Sequence, residues 1–454
     1  MGHDRLSGLD TAFLCLDSPS APMNLGALAV FSPSQPVHPT RLVELLRDRA
    51  ARIPRLRRRA RTMLMPLGAA AWETDPDFAV QRHVFAHHLR RPHDANQLTD
   101  RVSELMSTRL EVSRPLWELH VITGLAGGRF AVLAKLHHAL ADGAGAVVIG
   151  LSLMDGFTHP EIDDEPAPPV NPLAGMTDAA RLAKSLFNDS AGALSTIPAQ
   201  ARRVRESLDI AAAVVRGARA PEPASPLLSA PSRDRSLATL RIKLSEIKRV
   251  RVRYGGTTND VLLAILAGAL RDWVIGRGQD VDGRTLRALV PVNQRYRAGN
   301  AAGGNQLSGY LCELPIAEPD PVRRLRAVRA AMDRNKESGP FRGAGALPVL
   351  AERVPAALHR LATPFFSGGA SLLFDLVATN VQLPNIPLAF DDAPLQEIYP
   401  MVPLAAGHAL AVAFCGYAGS VHIGLNGNAD ALPDLHTIVE GFHGTLGDLH
   451  QLTA

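Results

Sequence analysis

The sequence predicts an α/β layered protein built in two halves, and three observations carry that reading. Short apolar runs with strand character are interleaved with segments of helical spacing, both before residue 160 and after residue 235. Between them the character changes: residues 163–172 are acidic and proline-rich, 179–219 are rich in Ala, Arg and Ser with helical spacing, and 221–232 are proline-rich again. The chain has 454 residues, 46% hydrophobic and 20% charged, enough for more than one domain-sized core and balanced like a globular protein. We therefore expect an N-terminal half over 1–160, a crossover linker with amphipathic helices over 161–235, and a C-terminal half over 236–454.

The elements follow in order. Residues 24–31 alternate as a strand, and 40–51 place Leu42, Val43, Leu45 and Leu46 toward one helical face. The run Arg52-Ile53-Pro54-Arg55-Leu56-Arg57-Arg58-Arg59-Ala60-Arg61 reads as a solvated basic turn or as a patch facing lipid headgroups or phosphates. A helix is expected over 98–110, a strand over 117–123, a buried strand over 129–136 and a small-residue helix over 144–154. In the second half, 237–244 reads as a strand and a helix follows to Tyr254. Thr258 is a candidate N-cap for a buried aliphatic helix over 259–273. Strands are expected over 286–292, 306–314, 373–381, 395–400, 409–417 and 421–425, and helices over 322–336, 347–361 and 432–449.

Composition excludes some classes. Lys+Arg 48 against Asp+Glu 44 is too mild an excess to imply nucleic acid. Cys15, Cys312 and Cys415 stand singly in apolar runs with no metal-ligand spacing, so reduced intracellular thiols are expected. No apolar stretch reaches the length of a membrane span and no secretory signal opens the chain, so any membrane contact is expected to be peripheral.

Chemistry concentrates in Lys135-Leu136-His137-His138-Ala139-Leu140-Ala141-Asp142-Gly143. Two histidines end a strand, and an Asp-Gly pair follows in the next turn. A neutral imidazole is the usual general base near pH 7, and strand alternation turns only one of the two toward a given cleft. The same alternation splays the rings and disfavours a metal site of His137, His138 and Asp142. Residues 137–143 hold no serine, cysteine or lysine, which favours direct transfer over a covalent intermediate. A second pair, His87-His88, lacks the Asp-Gly and reads as structural.

The pattern His-His-x-x-x-Asp-Gly resembles the active-site motif of the CoA-dependent acyltransferases, a superfamily that includes chloramphenicol acetyltransferase and peptide-synthetase condensation domains. Further stretches narrow the resemblance: Leu6-Ser7-Gly8-Leu9-Asp10, Pro22-Met23-Asn24, Pro115-Leu116-Trp117-Glu118, Thr258-Asn259-Asp260-Val261, Val290-Pro291-Val292-Asn293-Gln294-Arg295 and Gly304-Asn305-Gln306. Together they look like bacterial wax ester synthase/acyl-CoA:diacylglycerol acyltransferases over nearly the whole chain.

The resemblance implies two chloramphenicol-acetyltransferase-like domains with the active site in a channel between them. It implies acyl-CoA as co-substrate, no cofactor, a lipid hydroxyl as acceptor, and a cytoplasmic protein associated peripherally with membrane or lipid bodies. His138 matches the general base and His137 its less essential partner. Asp142 matches the residue that shapes the motif loop, with Arg295 as candidate counter-ion, and Gly143 the position left clear for the CoA arm. Asn259 is the candidate oxyanion donor, with helix capping as its other role, and Asp10 lies in a stretch that resembles the border of the substrate channel.

Two places depart from the pattern: residues 378–384 lack the usual proline and glycine after Asn380-Val381, and His408 stands where a polar amide is expected. Both bear on acceptor choice. A carrier-dependent condensation enzyme and a non-catalytic lipid-surface protein remain as alternatives.

Overall fold

A computed structural model describes residues 6–62, 70–90, 95–157, 225–293, 307–338 and 371–452. The expected linker helices over 179–219, the helix over 347–361, Arg295 and Gly304-Asn305-Gln306 lie outside the described residues.

The first half opens with α1 (Gly8–Leu16), β1 (Asn24–Phe31) and α2 (Pro39–Ala51). The basic run then forms a short 3₁₀ turn and β2 (Arg58–Thr62), which pairs with β3 (Ala70–Thr74) as a separate two-stranded sheet. β4 (Val84–His88), α3 (Ala95–Ser107), β5 (Trp117–Thr123), β6 (Phe130–His137) and α4 (Gly143–Ser152) follow. In the second half come β7 (Arg235–Lys243), α5 (Leu244–Tyr254), α6 (Thr258–Gly276), β8 (Leu286–Asn293), β9 (Leu307–Leu314) and α7 (Pro321–Ser338). β10 (Leu376–Gln382), β11 (Ala389–Phe390), β12 (Ala393–Met401), β13 (Leu410–Tyr417), β14 (Ser420–Asn428) and α8 (Leu435–Gln451) close the chain.

The strands form two six-stranded sheets, ordered β11-β12-β1-β6-β5-β4 and β7-β14-β13-β10-β8-β9. β6 lies inside the first sheet, antiparallel to both β1 and β5, which is why its sequence is almost uninterruptedly apolar. Trp117 of β5 is fully buried, and its indole donates to the Leu56 carbonyl at 2.6 Å. Burial of a side chain this size contributes on the order of 3 kcal/mol. In the second half α6 is apolar on every side and buried throughout residues 261–270, packed by α7 and α8.

Two devices join the halves. β11 and β12 lie late in the chain, within 236–454, yet β12 pairs with β1 and so completes the first sheet. β12 also crosses β14 so closely that a Cβ at Gly424 would stand 2.0 Å from the Pro400 carbonyl oxygen. At the edge of the second sheet, the β7 backbone N–H groups of Arg235 and Leu237 donate to the hydroxyls of Ser107 and Ser103 on α3, at 3.0 and 3.1 Å. An exposed strand edge is thereby covered by a helix.

Some boundaries differ from expectation. α3 starts and ends three residues earlier than 98–110; inside it the Ser103 and Ser107 hydroxyls donate to the Thr99 and Ser103 carbonyls, and Leu110 is buried beyond its end. The cap of α6 is Thr257, whose hydroxyl accepts the Asp260 N–H at 3.2 Å in a capping box; the Thr258 hydroxyl instead accepts from Arg251. The strand expected over 373–381 begins at Leu376, after Asp375 has bonded to the Arg287 backbone.

Candidate active site

β6 ends at His137, paired in register with Asn24, and the chain turns at once: the Leu140 N–H returns to the His137 carbonyl at 2.9 Å. The His138 backbone N–H donates to the Met23 carbonyl at 2.8 Å. The two rings then find different surroundings, as strand alternation requires. His138 stacks on Phe13 of α1, with centroids 4.0 Å apart and planes inclined by 22°. Desolvation pushes the His138 pKa down to about 4; a backbone hydrogen bond opposes it, the neighbouring His137 adds to it, and Asp142 opposes it least. At neutral pH the ring is therefore uncharged, the form a general base requires.

His137 is fully buried. Its Nδ1 accepts the Ala139 N–H at 3.0 Å, which assigns the proton to Nε2. Nε2 faces Asp17 Oδ2 at 3.6 Å, long for a hydrogen bond but within reach of an anion's field.

The rest of the motif loop is held by the backbone. Asp142 is buried and caps α4, its Oδ1 accepting the Gly145 N–H at 2.7 Å. Arg55, from the basic run, donates to the Leu140 carbonyl at 2.6 Å. Gly143 opens α4, and a Cβ there would meet nothing within 4 Å, so the residue borders open space and no packed neighbour demands glycine. Arg295, the expected counter-ion of Asp142, is outside the described residues.

Asp10 and Asn259 sit at helix starts. The Asp10 carboxylate accepts the Ser7 N–H at 3.3 Å and the Ser7 hydroxyl accepts the Asp10 N–H at 3.0 Å, closing a capping box on α1. Asn259 is half-buried in the first turn of α6, where backbone N–H groups lack helical partners. Its neighbour Asp260 is buried and spends one carboxylate oxygen on the Thr257 N–H at 2.7 Å.

Other groups around β6 were not legible in the sequence. Lys135, fully buried, stands directly across from Glu118 in the register and donates to it at 3.0 Å. Burial alone would raise the Glu118 pKa, but His120 and Lys135 outweigh it and hold the carboxyl at about 2. His120 contacts His87 at 3.0 Å, and Arg101 of α3 reaches His87 in turn at 2.9 Å. His87 thus belongs to a structural polar chain under α3. A lysine in an apolar strand and a glutamate after Trp117 were the signal; only the register joins them. His408, the expected departure, has its ring nitrogens against the Phe374 and Ala406 carbonyls at 2.9 and 3.1 Å and stacks on Phe374, a packing role.

Three of the six arginines in the basic run meet carboxylates of the described residues. Arg52 pairs with Asp48, Arg59 with Glu73 and Asp75, and Arg61 with Glu73.

Comparison with known proteins fits this geometry. Residues 6–262 match the wax ester synthase/diacylglycerol acyltransferase catalytic domain, and residues 303–450 the C-terminal domain of the same family. A Mycobacterium tuberculosis protein named "probable diacylglycerol O-acyltransferase" is 30% identical over 98% of this chain and 96% of its own. In fold, the wax ester synthase/diacylglycerol acyltransferase from Marinobacter aquaeolei superposes with a TM-score of 0.70 at 24% identity, over 99% of both chains. The first condensation domain of the calcium-dependent antibiotic synthetase does so at 0.60 and 17%, covering 100% of this chain and 96% of that one. A mixed α/β fold of two sheets, a histidine pair ending a central strand, and catalytic-domain similarity over more than half the chain lead to one conclusion: the chain belongs to the wax ester synthase/diacylglycerol acyltransferase family.

Proposed function

We propose that the protein transfers a fatty acyl group from acyl-CoA to a lipid hydroxyl, making triacylglycerol from diacylglycerol, wax ester from fatty alcohol, or both. The observation that carries this reading is the desolvated, neutral His138 at the end of β6. His138 takes the proton from the acceptor hydroxyl as that oxygen attacks the thioester carbonyl. The tetrahedral intermediate places negative charge on the former carbonyl oxygen, and Asn259 with the free N–H groups of the α6 start is the proposed donor. Collapse expels the CoA thiolate, which receives the proton from His138, so the ester and free CoA leave a neutral imidazole. Holding both substrates together supplies much of the acceleration.

Lipid substrates imply work at a lipid surface, and no described helix is long and apolar enough to cross a membrane. With Arg55, Arg59 and Arg61 of the 52–61 run tied to the fold, the exposed Lys248, Arg249 and Arg253 of α5, beside Val252 at 89% exposure, are the better-suited contact for anionic headgroups.

The test is product analysis with a panel of acyl-CoAs and acceptors. His138→Ala is expected to lower ester formation on the order of 100-fold or more. Enzyme mixed with acyl-CoA and no acceptor should release little CoA. A trapped acyl-enzyme, or a fully active His138→Ala protein, would overturn the mechanism.

A further inference from the structure

Asp17 is the C-cap of α1, the helix that carries Phe13 against the His138 ring, and its own N–H donates to the Phe13 carbonyl at 3.1 Å. Its side chain is entirely buried. Oδ1 accepts the Met23 N–H at 3.0 Å, and the Met23 carbonyl in turn accepts the His138 N–H. Oδ2 accepts from the Arg109 guanidinium and faces His137 Nε2. Burial would raise the Asp17 pKa, yet His137, the Met23 N–H and Arg109 together hold it below the usual carboxylate value, so the group is an anion at neutral pH. One carboxylate thus reaches the ring of the first histidine and, through the single residue Met23, the backbone of the second.

We propose that Asp17 is a positioning residue for the histidine pair, fixing His137 in the Nε2–H tautomer and thereby the loop that presents His138. The inference rests on the reading of His138 as the base. With Asp17 anionic, Nε2–H is the favoured proton position, and Nδ1 is left free to accept the Ala139 N–H and tighten the turn. Asp17→Asn keeps the shape and an oxygen for Met23. It presents an amide NH₂ to two donors, Arg109 and His137 Nε2–H. The imidazole is then driven to the Nδ1–H tautomer, and the Ala139 bond is lost.

The experiment has two readouts. ¹⁵N NMR of histidine-labelled full-length protein at neutral pH, with the His137 signal assigned by a His137→Gln variant, is expected to show Nε2–H in the unaltered protein and Nδ1–H in Asp17→Asn. In steady-state assays Asp17→Asn is expected to lose kcat on the order of 100-fold with the KM for acyl-CoA unchanged, as misplacement of the base predicts. An Nδ1–H tautomer in the unaltered protein overturns the proposal whether or not the variant folds. So does an Asp17→Asn protein with unaltered tautomer or kcat. If the unaltered protein transfers no acyl group, the functional reading fails while the tautomer measurement still judges Asp17.

Discussion

Removing the Phe13 ring tests the physical basis of the proposed base. The ring covers one face of His138 at 4.0 Å, and desolvation is the leading cause of a pKa of about 4 in place of 6.5. An imidazole with pKa 4 is about 97% neutral at pH 5.5, whereas one at 6.5 is about 9% neutral. The ratio of kcat/KM at pH 5.5 to that at pH 7.5 should therefore be close to unity in the unaltered protein, against about 0.1 for an ordinary histidine. Phe13→Ala admits water to the exposed face and should move the acid limb upward. If the limb reaches pH 6, activity at pH 5.5 falls to about a quarter of the plateau. The assay is ester quantification by mass spectrometry across roughly pH 4.5 to 8. Thermal unfolding is followed at each pH so that loss of fold is separated from protonation. A limb near 6.5 in the unaltered protein would refute a desolvated base. A limb at the same pH in both proteins would refute Phe13 as the cause.

Further outcomes are expected on stability. Gly424→Ala forces a Cβ to within 2.0 Å of the Pro400 carbonyl, a backbone atom that cannot swing aside, so urea unfolding should shift by about 3 kcal/mol or more; an unchanged midpoint would show that β12 moves freely over β14. Asp142→Ala removes the α4 cap and should cost about 1 kcal/mol, while Asp142→Asn, itself a good cap, should recover most of it in the same denaturation experiment. His422 is fully buried, neither ring nitrogen makes a well-formed hydrogen bond, and desolvation pushes its pKa down to about 4 from 6.5. The unfolded chain therefore binds this proton first, and stability is lost as pH falls from about 6.5 toward about 4, by on the order of 3 kcal/mol. His422→Leu should flatten that slope with little change above pH 7, and an identical slope in the variant would remove His422 from the acid response.

Much of the protein was legible in the sequence because the relevant signals are local. Hydrophobic periodicity depends on neighbours a few residues apart, so β1, β5, β6, α2 and the buried α6 could be placed from residue order. The histidine pair at the end of a strand, the Asp-Gly turn and the family resemblance were equally local in their parts. The sequence by itself determined the α/β class and the family. Tertiary structure alone decided what those imidazoles experience. Phe13 reaches His138, and Asp17 reaches His137, across more than a hundred residues of chain, and neither contact leaves a periodic trace. The same holds for the Lys135–Glu118 pair, which exists only once β5 and β6 are in register, and for β12, whose pairing with β1 is a long-range edge addition. The basic run is the clearest case: composition makes it a solvated turn or a cationic patch, and only the fold supplies the carboxylates that pair with Arg59 and Arg61 and the Leu140 carbonyl that Arg55 reaches. Desolvation, register and partner geometry are properties of what surrounds a residue in space, and residue order fixes them only through the folded chain.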